Sequence, residues 1–271
     1  MDDTERAEDA WRDLEAQPAA AILDLLLAGQ RRALQAVADA LPAIEHAAVE
    51  AAARLGTDGR LIYCGAGTSG RIGLLDAVEL GPTFDWPDAR RMVILAGGEA
   101  SLMRAREGAE DDEEAGRAAM QAIGPRTADV CLALAASGRT PFTRAAAMAA
   151  REAGALTVGF ANNPGTPLLE ACEHAVLLRT GPEVLAGSTR LGAGTAQKAA
   201  LNLFSTLLMI RLGKVFRGRM VDMRPTNAKL RRRALRIVRE VTDCSEAQAA
   251  AALEAHDGSI REAILAIEAK R

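Results

Sequence analysis

Aromatic residues are scarce in this chain of 271 residues, making up only 3% of it. Alanine is abundant instead, and 24 glycines are spread along the sequence. This composition favours alanine-rich helices packed closely on a sheet and argues against a β-sandwich. Because 49% of the residues are apolar, the chain can bury a core, which excludes a largely disordered protein.

Cysteine and histidine are also few, and their spacing is not that of a metal site. The cysteines lack a C-x-x-C motif, and the first two lie in apolar runs; they are Cys64, Cys131, Cys172 and Cys244. We therefore expect buried, reduced thiols and a cytoplasmic protein. The histidines, without an H-x-x-x-H motif or a neighbouring cysteine, are His46, His174 and His256. This spacing predicts no metal site, and nothing else in the sequence requires a metal or a cofactor.

A large excess of one charge and a long apolar run are missing as well. The net charge of -3 gives no general attraction to nucleic acid, and we interpret the arginine run 231 to 233 as a solvated helix face. The most apolar stretch, 201 to 210, is too short to span a bilayer, and the acidic N-terminus does not resemble a signal peptide. We therefore expect neither nucleic-acid nor membrane partners.

The sequence does contain an alternation of apolar runs and helical stretches. Five short runs without polar alternation are typical of strands covered on both faces; they occupy 60 to 67, 91 to 98, 129 to 138, 155 to 163 and 174 to 181. Segments long enough for crossover helices separate them. The pattern predicts an α/β fold with a doubly wound, mostly parallel, five-stranded sheet.

Helical segments flank the predicted sheet. Two or three helices precede it, interrupted at Pro18, Gly29 and Pro42, and a long buried helix follows within 187 to 216. A basic helix and two short helices with capping boxes come after Pro225. We accordingly divide the chain into an N-terminal helical segment (1–45), a central α/β domain (46–224) and a C-terminal three-helix module (225–271).

The first predicted strand leads into a G-x-G-x-x-G pattern, Gly65-Ala66-Gly67-Thr68-Ser69-Gly70. A dinucleotide-binding unit places an acidic residue about twenty residues later, but here the second strand ends about thirty residues on, before Glu99. Thr68, Ser69 and Arg71 add hydroxyl and guanidinium donors to the N-terminus of the following helix. These donors favour a compact terminal phosphate over a dinucleotide.

The third predicted strand ends in a similar turn, which contains Ser137, Gly138, Arg139 and Thr140, with Pro141 opening the next helix. Two such turns at the carboxyl ends of parallel strands can converge on one anion. The alternative is that Ser137 and Thr140 only cap that helix.

These paired turns, "GAGTSGR" and "ASGRTP", resemble the sugar isomerase (SIS) domain family, whose members bind phosphosugars. Together with "LAGGEASLMRAREGAEDDEEAG", "NNPGTPL" and "STRLGAGTAQKAALNLF", they more specifically resemble the N-acetylmuramic acid 6-phosphate etherase family. The resemblance implies a SIS phosphosugar-binding domain at 46–224 and a cofactor-free lyase of cell-wall sugar recycling. Such a lyase cleaves the D-lactyl ether of its substrate by elimination and water addition, giving N-acetylglucosamine 6-phosphate and D-lactate.

The resemblance also implies site residues. It assigns Glu79 and Glu110 as a pair of acid/base carboxylates, and phosphosugar contacts to Gly67, Thr68, Ser69, Arg71, Ser137, Gly138, Arg139, Thr140 and Lys198. From the residues alone, Glu110 belongs to an acidic run typical of a solvated helix face. Glu79 lies about 15 Å along a straight helix from Ser69. Either the helix bends or ends early, or Glu79 serves a site built across a two-fold dimer interface. We expect a homodimer with its active sites at or near the interface.

The chain departs from the family pattern at three places. Gly192 stands where a lysine is expected, Phe84 replaces a tyrosine, and the N-terminal pattern survives only as Thr4-Glu5-Arg6. A substrate contact is then either lost or supplied by Arg190 or Lys198. A non-catalytic phosphosugar-sensing regulatory protein and a phosphosugar isomerase are the alternatives, and a NAD oxidoreductase is the least favoured. Retention of both carboxylates favours the lyase.

Overall fold

A computed structural model describes residues 2–104, 106 and 108–270. The chain divides into two compact units, the first formed by Met1–Ala77 and Ala89–Leu208 and the second by Val78–Asp88 and Met209–Arg271. Within the described residues, no helix combines the length and the apolar character needed to cross a membrane.

The first unit is built on a parallel sheet. Its strands are β1 (Leu61–Gly65), β2 (Arg91–Leu95), β3 (Val130–Leu134), β4 (Leu156–Ala161) and β5 (His174–Leu177). They lie in the order β2-β1-β3-β4-β5, and each neighbouring pair is parallel. Every residue of β1, β3 and β4 is buried, which explains the absence of polar alternation. The predicted five-stranded α/β sheet is confirmed.

Helices flank this sheet. In chain order they are α1 (Ala19–Asp39), α2 (Leu41–Leu55), α3 (Gly67–Phe84), α4 (Ala100–Met103), α5 (Glu113–Ile123), α6 (Pro141–Glu152), α7 (Pro167–Ala171) and α8 (Gly192–Arg211). Small residues allow close packing between them. At Gly116 of α5, an added Cβ would lie 2.2 Å from the carbonyl oxygen of Phe142 in α6, so only glycine permits this approach.

The predicted interruption at Gly29 is wrong, because α1 continues through it. Glycine lowers helix propensity by about 1 kcal/mol relative to alanine, but tertiary packing outweighs that cost here. A Cβ at Gly29 would lie 3.1 Å from Cγ2 of Val184, so the absence of a side chain makes room for this buried valine. Pro18 and Pro42 do mark helix starts, as predicted.

The second unit contains the three predicted C-terminal helices, α9 (Ala228–Thr242), α10 (Glu246–Ala255) and α11 (Ile260–Glu268). Their apolar faces form one core, which includes Ala234, Ile237, Val238, Ala249, Ile260 and Ile264. Both hydrogen bonds of the capping box are present at Ser245, whereas Ser259 accepts only the bond from the Glu262 amide. A short antiparallel ribbon, β6 (Val215–Phe216) and β7 (Arg219–Met220), was not predicted, because two-residue strands leave no periodicity.

Candidate functional site

A cavity of about 450 Å³ lies in the first unit where β1 and β3 end. This is the edge at which parallel α/β sheets bind ligands. Among the described residues its lining comprises both glycine turns, two acidic segments and Thr189: Glu5, Ala66, Gly67, Thr68, Ser69, Glu110, Asp111, Ala135, Ala136, Ser137, Arg139, Thr140, Pro141 and Thr189. The two turns singled out in the sequence therefore meet at one cavity.

The first turn joins β1 to α3 with very little space between them. Gly67 has φ of +53°, a left-handed conformation that favours glycine. An added Cβ at Gly65 would lie 2.9 Å from the Gly70 backbone, so the strand end and the first helical turn touch. This packing directs the N-terminus of α3, with Thr68 and Ser69, at the cavity.

The second turn joins β3 to α6. Gly138 has φ of +67°, and a Cβ there would lie 2.2 Å from Oγ1 of Thr166. The Ser137 hydroxyl accepts a hydrogen bond from the Arg139 amide at 3.1 Å. Thr140 occupies the N-cap position of α6 but makes no side-chain capping hydrogen bond within the described chain. Helix capping alone therefore does not explain the hydroxyl residue at this position, and Thr140 lines the cavity.

The structure divides the acidic run between different roles. Asp112 caps α5, accepting a hydrogen bond from the Ala115 amide at 2.8 Å, and Glu113 forms an ion pair with Arg144. Glu110 and Asp111 instead line the cavity. The Glu110 carbonyl accepts a hydrogen bond from the Phe142 amide at 3.0 Å, which ties this loop to the first turn of α6.

The N-terminal segment also reaches this region, which the sequence did not predict. Thr4 is fully buried: its amide donates to Oδ1 of Asn163 at 3.2 Å, and its hydroxyl accepts from Nδ2 of Asn163 at 3.0 Å. Asp2 pairs with Arg139 at 3.0 Å, and Glu5 lines the cavity. Glu5, Asp111 and Thr189 are lining residues that sequence reasoning missed, because no local pattern brings them to the turns.

Other predicted site residues lie outside the cavity lining. Arg71 donates to the carbonyl oxygens of Ser101 at 2.7 Å and Leu102 at 3.3 Å, so its guanidinium contacts α4. Gly138 packs against Thr166, and Lys198 lies on α8. Glu79 is exposed on α3, and that helix continues past it to Phe84. The helix therefore does not end early, which was one way to bring Glu79 close to the phosphate turn.

A buried carboxyl that the sequence did not single out lies on the same helix. Asp76 accepts hydrogen bonds from the hydroxyls of Tyr63 at 3.0 Å and Ser205 at 2.9 Å, and from Nδ2 of Asn202 at 3.0 Å. Burial raises the pKa of Asp76 above its ordinary value, while these hydrogen bonds and the charge of Lys198 oppose the rise. The predicted substrate lysine thus acts electrostatically on Asp76.

The departure at Gly192 has a structural counterpart at the N-terminus of α8. The carboxylate of Glu183, only 4% exposed, accepts hydrogen bonds from the amides of Gly192 at 2.9 Å and Ala193 at 2.8 Å. A Cβ at Gly192 would lie 3.0 Å from Oε2 of Glu183. Glycine therefore lets an internal carboxylate occupy this helix N-terminus. Arg190 is exposed outside the cavity lining, and Phe84 is buried in the second unit.

Family models match two overlapping parts of the chain. Residues 43–151 match the glucokinase regulatory protein N-terminal SIS domain, and residues 110–207 match the SIS domain. Solved structures resemble its fold: the sugar isomerase domain of a transcription factor from Sphaerobacter thermophilus has a TM-score of 0.51 at 17% identity, covering 71% of this chain and 91% of that one. A phosphoheptose isomerase from Francisella tularensis has a TM-score of 0.51 at 17% identity, covering 73% and 100%.

Curated relatives match nearly the whole chain. The N-acetylmuramic acid 6-phosphate etherase of Deinococcus radiodurans is 49% identical over 98% of this chain and 87% of its own length. That of Rubrobacter xylanophilus is 45% identical, with 97% and 88% covered. Identity at this level over the full fold, with the two glycine turns at one cavity, shows that the chain belongs to the N-acetylmuramic acid 6-phosphate etherase family.

Proposed function

We propose that this chain is a carbon–oxygen lyase that cleaves the D-lactyl ether of N-acetylmuramic acid 6-phosphate, releasing D-lactate and N-acetylglucosamine 6-phosphate. The observation that carries the proposal is that both glycine turns and Glu110 line the same cavity. The chain's membership of this family supports it further. The reaction serves cell-wall sugar recycling. It needs acid/base groups and no cofactor.

The sugar phosphate binds at the two turns. The N-termini of α3 and α6 direct their first backbone amides and positive dipole ends toward an anion. Hydroxyls of Thr68, Ser69, Ser137 and Thr140 add donors at the same place. A monophosphate has three terminal oxygens to receive these bonds, and it leaves the sugar carbons to extend toward Glu110.

The chemistry proceeds in two steps on the open-chain aldehyde. A carboxylate removes the C2 proton, which the neighbouring carbonyl acidifies, while a carboxylic acid protonates the lactyl oxygen as the C3–O bond breaks. D-lactate leaves and a C2–C3 double bond remains. Water then adds at C3, with its proton taken by one carboxyl group and C2 protonated by the other. Glu110 provides one of these groups.

Glu79 provides the second group from a partner subunit. It is exposed, it lies about 15 Å along an unbroken helix from Ser69, and it does not line the cavity of its own subunit. Large apolar side chains are exposed on the same helix and on α8, among them Leu75 at 43% and Leu203 at 44%. A symmetric homodimer would cover such side chains and bring a second Glu79 to each cavity.

D-lactate release from N-acetylmuramic acid 6-phosphate by the purified protein tests the proposed reaction. Release that saturates with substrate supports it. A folded protein that binds N-acetylglucosamine 6-phosphate by calorimetry but releases no lactate overturns it. That outcome would support the second candidate, a phosphosugar-sensing regulatory protein. The match of residues 43–151 to the glucokinase regulatory protein N-terminal SIS domain favours this candidate.

Sedimentation of the wild-type protein and of a Leu75→Glu variant tests the homodimer. A wild-type dimer that the variant converts to monomers, with loss of activity, supports it; an active monomer contradicts it. We also infer a cytoplasmic location, since the described cysteines are all free thiols and three are buried. Cell fractionation with detection in the membrane or secreted fraction would contradict that location.

A further inference from the structure

A group of metal-ligating side chains lies at the amino end of β5, the opposite strand end from the cavity. His174 is the first residue of β5 and Glu173 precedes it, while Glu50 reaches the same place from α2. One ligand atom from each of these residues can be chosen so that all three lie within 4.8 Å of one another. The group therefore joins the edge strand to a neighbouring helix.

His174 has a ring nitrogen that the protein leaves unsatisfied. The residue is only 9% exposed, and its Nε2 is buried without a hydrogen-bond partner among the residues that the structure describes. Nε2 lies 3.0 Å from Oε2 of Glu50, close enough for an ion pair but not oriented for a hydrogen bond. A buried polar atom without a hydrogen bond is unfavourable, so an additional ligand there would be stabilising.

The distances fit a small divalent cation. Zinc binds imidazole nitrogen and carboxylate oxygen at about 2.0–2.2 Å, which places neighbouring tetrahedral ligand atoms roughly 3.3 Å apart. The 3.0 Å between Nε2 and the Glu50 oxygen is close to that separation, and the 4.8 Å limit requires only small side-chain rotations. One imidazole and two carboxylates form a mixed donor set suited to zinc.

A fourth ligand is available on α2. His46 precedes Glu50 by one helical turn, and its Nε2 lies 4.0 Å from Oε2 of Glu50. Its ring also meets the ring of His174 edge to face, with centroids 4.9 Å apart and planes at 81°. His46 is 75% exposed, so its ring is free to rotate toward an ion bound by the other three residues.

We propose that Glu50, Glu173 and His174, with His46 as a fourth ligand, form a structural zinc site that links α2 to the edge strand β5. The site takes no part in lactate release, because its ligands lie at the opposite ends of the strands from the cavity. This proposal differs from the prediction of no metal site, which was based on the histidine spacing in the sequence. Failure of this proposal would leave the proposed reaction untouched.

Calorimetric titration of tag-free, chelator-treated protein with zinc chloride tests the site. We expect one zinc ion per chain and a higher melting temperature with zinc. Glu50→Gln, Glu173→Gln and His174→Asn should each weaken zinc binding at least about tenfold. The matched controls Glu45→Gln, next to His46 on the exposed face of α2, and His256→Asn, in the second unit, should bind zinc like the wild type.

Cobalt provides a second readout, since Co²⁺ in a four-coordinate site absorbs visible light. The absorption should appear in the wild type and in both controls, and it should be lost in Glu50→Gln, which replaces a partly exposed residue and should not disturb folding. No saturable zinc binding, or binding that survives the Glu50, Glu173 and His174 substitutions, overturns the proposal. The cluster would then be only an ion pair between His174 and Glu50.

Discussion

The two ends of the parallel sheet carry polar groups in different arrangements. Where β1 and β3 end, hydroxyls, helix N-termini and Glu110 surround an open cavity. At the beginning of the same strands, charged groups are arranged around one another: the Asp129 carboxylate is fully buried and lies 2.6 Å from Nη2 of Arg60. Asp129 also accepts a hydrogen bond from the Arg126 amide at 2.8 Å.

This difference separates function from stability within one sheet. Groups that face a cavity can exchange water for a ligand, whereas groups that satisfy each other hold neighbouring chain segments together. Substitution of a cavity-facing side chain at the carboxyl end should therefore change turnover or binding and leave unfolding unchanged, and substitution of a mutually paired group at the amino end should do the reverse. Two pairs of variants test this division directly, and two further pairs extend it to the turn glycines and to helix N-caps.

The largest effect is expected from Glu110→Gln. Loss of a general acid or base lowers turnover by about 10²–10⁴-fold, so kcat for lactate release should fall by this factor. The urea midpoint should not change, because the side chain is exposed. Asp111→Asn, the neighbouring lining carboxylate, is the control and should keep most of the activity. Equal losses in both variants would contradict the specific role of Glu110.

At the other end, Asp129→Asn should lower the free energy of unfolding by about 3–5 kcal/mol, since it leaves Arg60 without its buried carboxylate. Urea denaturation measures this, and KM should stay at the wild-type value. Asp58→Asn, an exposed partner of Arg126, should cost less than about 1 kcal/mol. A small effect at both positions would remove the contrast between the two ends.

The same pair predicts a pH dependence. Burial opposes ionisation of Asp129, but hydrogen bonds from Arg60 and Arg126 prevail and lower its pKa below the ordinary value. Its contribution to stability is therefore complete above the ordinary aspartate pKa and is lost as pH falls through the lowered one. The wild type should lose stability on acidification below about pH 4 more steeply than Asp129→Asn. Parallel curves would contradict this assignment.

A smaller effect is expected at the turn glycines. Gly138→Ala combines a left-handed φ with a Cβ 2.2 Å from Thr166, so it should destabilise the protein by about 1–3 kcal/mol and also raise KM by moving the second turn. Gly165→Ala has φ of +60° but nothing within 4 Å of its Cβ. It should cost about 1 kcal/mol and leave KM unchanged. Identical KM values in the two variants would contradict a role for Gly138 in positioning the binding site.

The smallest effect distinguishes two helix N-caps. Thr140→Ala should weaken phosphosugar binding by about 0.5–1.5 kcal/mol without loss of stability, because its hydroxyl does not cap α6. Ser245→Ala, which removes a complete capping box, should cost about 1 kcal/mol of stability and leave KM unchanged. Calorimetry with N-acetylglucosamine 6-phosphate and urea denaturation measure both quantities. A stability loss in Thr140→Ala would indicate a capping role.

Local sequence patterns predicted most of the fold. The five strands, the crossover helices and both glycine turns were predicted, because apolar runs and turn residues act over a few neighbouring positions. The break at Gly29 was wrong, since the helix continues through a position where the absent side chain leaves room for the distant Val184. The orientation of Arg71 also depends on a distant partner, the carbonyl oxygen of Ser101.

The sequence by itself therefore determined the sheet, its two glycine turns and, through family resemblance, the reaction. Backbone conformation at these turns depends on local residue types, so such motifs can be recognised from the amino-acid sequence alone. Only the tertiary structure decided which members of the acidic run face the cavity, that Glu5 joins them, and that His174 meets Glu50. These contacts join residues far apart in the chain, and their geometry follows from how helices and strands pack, which spacing along the sequence does not encode.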